Sequence, residues 1–201
     1  MEGNDGAEKY ANMVYVDLSN NSQIQIKRKS WNLGFYCGDE FRVILNSSYA
    51  TVAVASEKTD FAAVTLEDAQ KAPNIAAGAM SEDFSADWVD DVEGDLTKTA
   101  FGMIAENAAE NKVFFVASAD NKTNTDGTEN RSLWYKVKVV EVRTTIMRAA
   151  IIANQFNNPF HGSGYSRHVL PDELRQRIGR SGKLVFRFVH LQHVFVRHSH
   201  E

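Results

Sequence analysis

Near Glu141 the sequence changes character, and that change decides which residues can be expected to fold together. Through Val142, thirteen Lys and Arg stand against twenty-three Asp and Glu, a formal charge of −10, with no histidine. From Arg143 to Glu201, nine basic side chains stand against three acidic ones, +6, and all six histidines appear. An asymmetry of this size marks a basic arm, a separate module, or residues never selected to fold with what precedes them. The chain therefore divides into residues 1–142 and a basic His/Arg-rich tail over residues 143–201.

In the first part, short runs rich in Phe, Tyr, Trp, Val and Thr alternate with turn residues. Met13–Leu18 and the strictly alternating Gln23–Lys27 flank Ser19-Asn20-Asn21-Ser22, whose side chains bond their own backbone and favour a turn. Trp31–Cys37, Phe41–Leu45, Thr51–Ala55, Val113–Ala117 and Leu133–Val142 follow as further strands. In the last, Leu133, Tyr135, Val137 and Val139 share one face and Lys136 and Lys138 the other, the pattern of a half-buried edge or hairpin strand. Between Thr59 and Thr99 the pattern loosens: Leu66–Lys71 predicts one or two helical turns inside a long excursion of the kind that carries function or disorder. The fold class is mainly β, an antiparallel sheet domain with long loops, expected to be incomplete at its C-terminal end.

Several function classes fall away on chemistry. There is no Ser-His-Asp arrangement, phosphate-cradling glycine loop or dinucleotide fingerprint, and Cys37 has no histidine in the first part to activate it, so no enzyme is expected. Asp87, Asp90, Asp91, Glu93 and Asp95 lack the spacing of a calcium-binding hand and read as a solvated loop. No apolar run is long enough to span a bilayer, Met1 to Gly6 is not a secretory leader, and Cys37 lies too far along to be a lipid-bearing N-terminal cysteine. Any membrane attachment is thus expected to use an anchor absent from this sequence.

Ser30-Trp31-Asn32-Leu33-Gly34-Phe35, followed by Phe41-Arg42-Val43-Ile44-Leu45-Asn46, resembles the HmuY family of haem-binding surface lipoproteins of Bacteroides-type bacteria. Val14–Ser19, Lys112–Val116 and Trp134–Val140 fall in the family's order, so the resemblance spans roughly residues 14–142, with Asn32 departing from the family's more usual Trp-Asp pair. It implies an all-β domain that captures haem (iron protoporphyrin IX) between loop fingers at the cell surface or after secretion. The partners it implies are an outer-membrane haem receptor and host haem proteins. It also implies axial ligands in two regions, where this sequence has Ala76-Ala77-Gly78-Ala79-Met80 and Ala100-Phe101-Gly102-Met103-Ile104. Met80 and Met103 are therefore the candidate iron ligands, thioethers being soft ligands that suit haem iron, with Phe84, Trp88 and Phe101 the candidate ring-covering residues. The rival role for either methionine is ordinary core packing. The rival function is a cofactor-free surface adhesion or assembly β-domain.

The tail has three readings. His190, His193, His198 and His200 have spacings that suit zinc or copper but lack accompanying cysteine or patterned acid. Arg175, Arg177 and Arg180 follow Pro171-Asp172-Glu173-Leu174 as a short basic helix, without the aromatic interleaving of a nucleic-acid reader, so no nucleic acid is expected as a partner. The third reading ranks first: the tail is out of frame, because local pattern and fold part company there. On that reading Leu133–Val142 keeps an open edge, and the apolar run from Leu184 to Val196 is a candidate to pair with it or with another molecule.

Overall fold

The computed structural model describes residues 10–18, 21–37, 41–75, 82–143, 148–155, 166–169 and 186–189. Along the chain the strands are β1 (Asn12–Asp17), β2 (Ser22–Lys27), β3 (Leu33–Cys37), β4 (Phe41–Leu45), β5 (Val52–Ala55), β6 (Phe114–Ala117), β7 (Tyr135–Arg143), β8 (Arg148–Gln155), β9 (Ser166–Val169) and β10 (Phe186–Val189). They form three antiparallel sheets: the hairpin β1-β2, a three-stranded sheet in the order β10-β3-β4, and a five-stranded sheet in the order β5-β6-β7-β8-β9. The mainly β, antiparallel class expected from the sequence is the observed one, with one short α-helix among the described residues, α1 (Leu66–Lys71).

Period-2 alternation divides the middle of the five-stranded sheet into two buried faces. Phe114, Val116, Tyr135, Val137 and Val139 point to one side and pack with Leu33, Phe35, Phe41, Val43 and Leu45 of β3 and β4, making a two-layer core. Phe115, Ala117 and Trp134 belong to the opposite side and pack with Phe61, Val64, Ala69 and Ile75 from the segment around α1. The run from Val113 to Ala117 is apolar without a polar alternate because both of its faces are covered.

Strand β7 corrects the edge reading. It is paired by β6 on one side and β8 on the other, from Tyr135↔Gln155 to Arg143↔Arg148, with a register shift between Val139 and Glu141. Its lysines do not face water: Lys136 and Lys138 are each only 8% exposed. The Lys136 ammonium donates to the carbonyls of Phe61 (3.1 Å) and Val64 (2.9 Å) and lies 4.5 Å from the Phe61 ring centre, while Lys138 donates to the carbonyl of Thr59. Lysine stems are apolar enough to line a core when the charged end finds acceptors, so the alternation of β7 looks amphipathic in sequence while both faces are buried. The described part of the late apolar run, Phe186–Val189, lies against β3 rather than β7, Phe186 opposite Tyr36 and Val189 opposite Leu33. Of the end expected to be incomplete, the described residues supply β8 and β9. The tail's Arg175, Arg177, Arg180, His190, His193, His198 and His200 lie outside the described residues.

Helix α1 is short but closed at both ends. At its start Asp68 accepts from the backbone N–H of Thr65 at 2.8 Å in a capping box, and Lys58 pairs with the same carboxylate at 2.8 Å. These bonds hold the Asp68 carboxyl down to about 2, the Lys58 bond being the larger cause. At its end the Arg131 guanidinium donates to the carbonyls of Ala69, Gln70 and Ala72, at the helix terminus where carbonyls lack a full set of helical partners, and lies 5.2 Å from the Trp134 ring centre.

Candidate functional site

The long connection from β5 to β6 returns over the edge of the two-layer core and leaves an open cleft of about 820 Å³. Ligand clefts fall around 300–1,000 Å³. Its floor is aromatic: Phe101 and Phe114 are both buried and stack with ring centres 4.1 Å apart at 23°. Ala55, Val89, Ala100 and Ile104 add apolar lining, and Lys98 and Lys112 line the cleft together with Asp87, Asp91 and Glu110.

One wall is the turn from Thr99 to Gly102, closed by the Gly102 N–H donating to the Thr99 carbonyl at 2.8 Å. Gly102 has φ +63°, a conformation that glycine adopts without the strain a side chain would bring. Directly after it stands Met103, on the cleft and 77% exposed, beside Val92, which is 95% exposed on the same cleft. A thioether left so open next to a buried aromatic stack is an apolar group without an internal partner.

The acidic run is mostly loop scaffolding, as its spacing suggested, with one exception. Asp91 accepts from the N–H groups of Glu93 and Asp95, each at 3.0 Å, and Asp95 accepts from Thr97 and pairs with Lys98 at 3.1 Å. The Thr97 bonds, with Lys98, bring the Asp95 carboxyl to about 2. Asp90, by contrast, turns inward and accepts from the N–H of Leu45 at 2.6 Å and of Ala100 at 2.9 Å. Burial pushes its carboxyl above the usual range, opposed by those two bonds. Across the cleft Asn111, itself buried, accepts from the Ala105 N–H at 2.8 Å and donates to the carbonyls of Ala105 (3.0 Å) and Val139 (3.2 Å). Among the described residues no group of three His, Cys, Asp or Glu side chains is placed to hold a metal ion.

Of the residues singled out from sequence, Phe101 and Met103 come together on the cleft. Phe84 and Trp88 meet edge to face at 5.7 Å against the core on the α1 side and do not line it. Met80 lies outside the described residues. Sequence reasoning passed over Phe114, Asn111 and Asp90. The alternation in Val113–Ala117 was the available signal for Phe114; nothing in the spacing distinguishes Asp90 from the four acids around it.

The family model described as HmuY protein matches residues 9–169. The chain belongs to the HmuY family. At family level it therefore stands among haem-binding proteins. The HmuY match runs past Val142 and takes in β8 and β9, so the family pattern does not stop where the charge changes sign. No curated protein and no solved structure matches the chain.

Proposed function

We propose that this protein is a haemophore-like member of the HmuY family that binds one haem in the cleft and serves bacterial haem and iron uptake without catalysing a reaction. The observation that carries the reading is Met103: a thioether 77% exposed on the mouth of an apolar cleft whose floor is the Phe101–Phe114 stack. The donor chemistry fits the group, because a thioether is a neutral, soft ligand for haem iron and an aromatic floor suits the flat face of a porphyrin. Met103 and Met80 are the iron ligands in this reading. Phe101 would cover one face of the ring, while Phe84 and Trp88, expected from the sequence to cover it too, pack against the core on the α1 side. Lys98 and Lys112, both on the cleft lining, would supply the positive charge that holds the acidic propionates.

The place of action is the cell surface or the space outside it, and the partner that takes the haem onward is an outer-membrane receptor, with host haem proteins as the source. Among the described residues no helix is long and apolar enough to cross a membrane. An absorption titration of the full chain with haem tests the reading: a saturable one-to-one complex with a shifted Soret band is expected, and only broad, unsaturable absorbance would overturn it. Thioether ligation favours ferrous iron, so affinity should rise on adding dithionite. Equal affinity in the two oxidation states contradicts methionine ligation.

A further inference from the structure

We infer that Asp90 and Asn111 are positioning residues of the cleft: two polar clamps that suspend the segment from Ala100 to Ala105 and so fix where Phe101 and Met103 stand. The inference rests on the haem reading of that cleft, and deepens it by naming what sets the geometry of the ligand-bearing turn.

The front clamp is Asp90. Among the described residues β4 is paired with β3 and no other strand, and the Leu45 N–H lies on its other edge. One carboxylate oxygen of Asp90 receives the Leu45 N–H on that edge, and the other receives the N–H of Ala100. A single side chain thereby joins a rigid strand to the first residue of the turn carrying Phe101, Gly102 and Met103. Both bonds lie in a half-buried place, and a carboxylate that accepts from backbone N–H groups makes bonds of the stronger, charge-assisted kind.

The rear clamp is Asn111. Its amide meets both the N–H and the C=O of Ala105, as a neighbouring strand would, and reaches on to the carbonyl of Val139 in β7. The five-residue step from Ala100 to Ala105 is therefore held at each end to a different sheet, β4 in front and β7 behind. Between the clamps Phe101 and Ile104 are buried while Gly102 and Met103 face the cleft. Side chains that hold a ligand need such support to stay within a fraction of an ångström of a productive position.

The test compares Asp90→Asn, which loses one acceptor oxygen and the charge, with Asp126→Asn, which alters a similar turn-capping carboxylate on the far 120–130 loop. Haem affinity and Soret position are read by titration, and amide exchange by NMR, all on the full chain. Asp90→Asn should weaken haem roughly tenfold or more, the loss of one buried charge-assisted bond. It should also move the Soret band and speed exchange at Leu45 and Ala100, leaving Phe114–Ala117 as slow as before. Asp126→Asn should do none of these. A folded Asp90→Asn protein with unchanged affinity and spectrum overturns the inference, because a residue of purely structural importance could alter stability without altering the iron's surroundings. If Asp90→Asn does not fold, Asn111→Ala takes its place, with the same expected and contrary results and faster exchange read at Ala105. Should the unaltered chain bind no haem, the functional reading fails alone: the exchange at Leu45, Ala100 and Ala105 still decides whether the clamps hold the segment.

Discussion

The two faces of β6 and β7 are closed in opposite ways. On the α1 side the cover is complete: Phe115, Trp134 and Val113 are sealed under Phe61, Val64, Ala69 and Ile75, and the charged ends of Lys136 and Lys138 are turned onto loop carbonyls. On the β3-β4 side the cover stops short at one edge, where Phe114, otherwise packed in the two-layer core, stacks with Phe101 at the floor of an open cleft. One face therefore spends its side chains on stability, and the other leaves apolar surface to be covered by something else. Variants on the sealed face should change unfolding, and variants on the open face should change ligand binding.

The largest effect is expected at Trp134, fully buried under the sealed face. Trp134→Ala should lower unfolding stability by about 3–5 kcal/mol in urea titration, with any loss of haem tracking the unfolded fraction. A loss of haem affinity in a protein that remains folded would break the division between the faces.

Lys136→Ala comes next. It leaves the carbonyls of Phe61 and Val64 without a donor where water does not reach, at a cost of about 1–3 kcal/mol, read by the same titration. Burial pulls the Lys136 ammonium below the usual lysine range, so this position is already in tension between charge and surroundings. A neutral result would mean that water reaches those carbonyls and that the face is not sealed.

These two lysines also show how far the sequence could be read. The strands and their antiparallel class were legible because alternation and turn residues recur along the first 142 residues. The environment of β7 was not, since a lysine on a solvent face and a lysine tucked under a loop produce the same pattern, and only the loop's path over Thr59 to Val64 separates them. Of the site, Phe101 and Met103 were reached through the family resemblance rather than any local pattern, and both line the cleft, whereas Asp90 was one of five acids and meets β4 forty-five residues away along the chain. The charge change near Glu141 carries no signal of pairing, and the sheet's ladder crosses it from β7 into β8.

A smaller effect concerns pH. The Asp68 carboxyl sits at about 2 in the folded chain against an ordinary 3.8, so its bond with Lys58 and the capping box together contribute stability that is fully present above roughly pH 4 and is lost as pH falls through about 2. Amide exchange over Leu66–Lys71 should rise across that window before exchange in β6 does. Simultaneous loss in both would show that α1 does not open separately from the sheet it covers.

The smallest change in stability and the clearest change in function should coincide at Met103. With 77% of the residue exposed, Met103→Ala should leave unfolding within about 0.5 kcal/mol of the unaltered protein. The central claim is most directly tested by titrating haem into the full chain, Met103→Ala, Met80→Ala and the double variant, following the Soret and reduced-state bands. The account predicts a one-to-one low-spin complex in the unaltered chain, weaker binding with altered bands in each single variant, and no low-spin complex in the double variant. A double variant that binds haem with the original affinity and spectrum would contradict it.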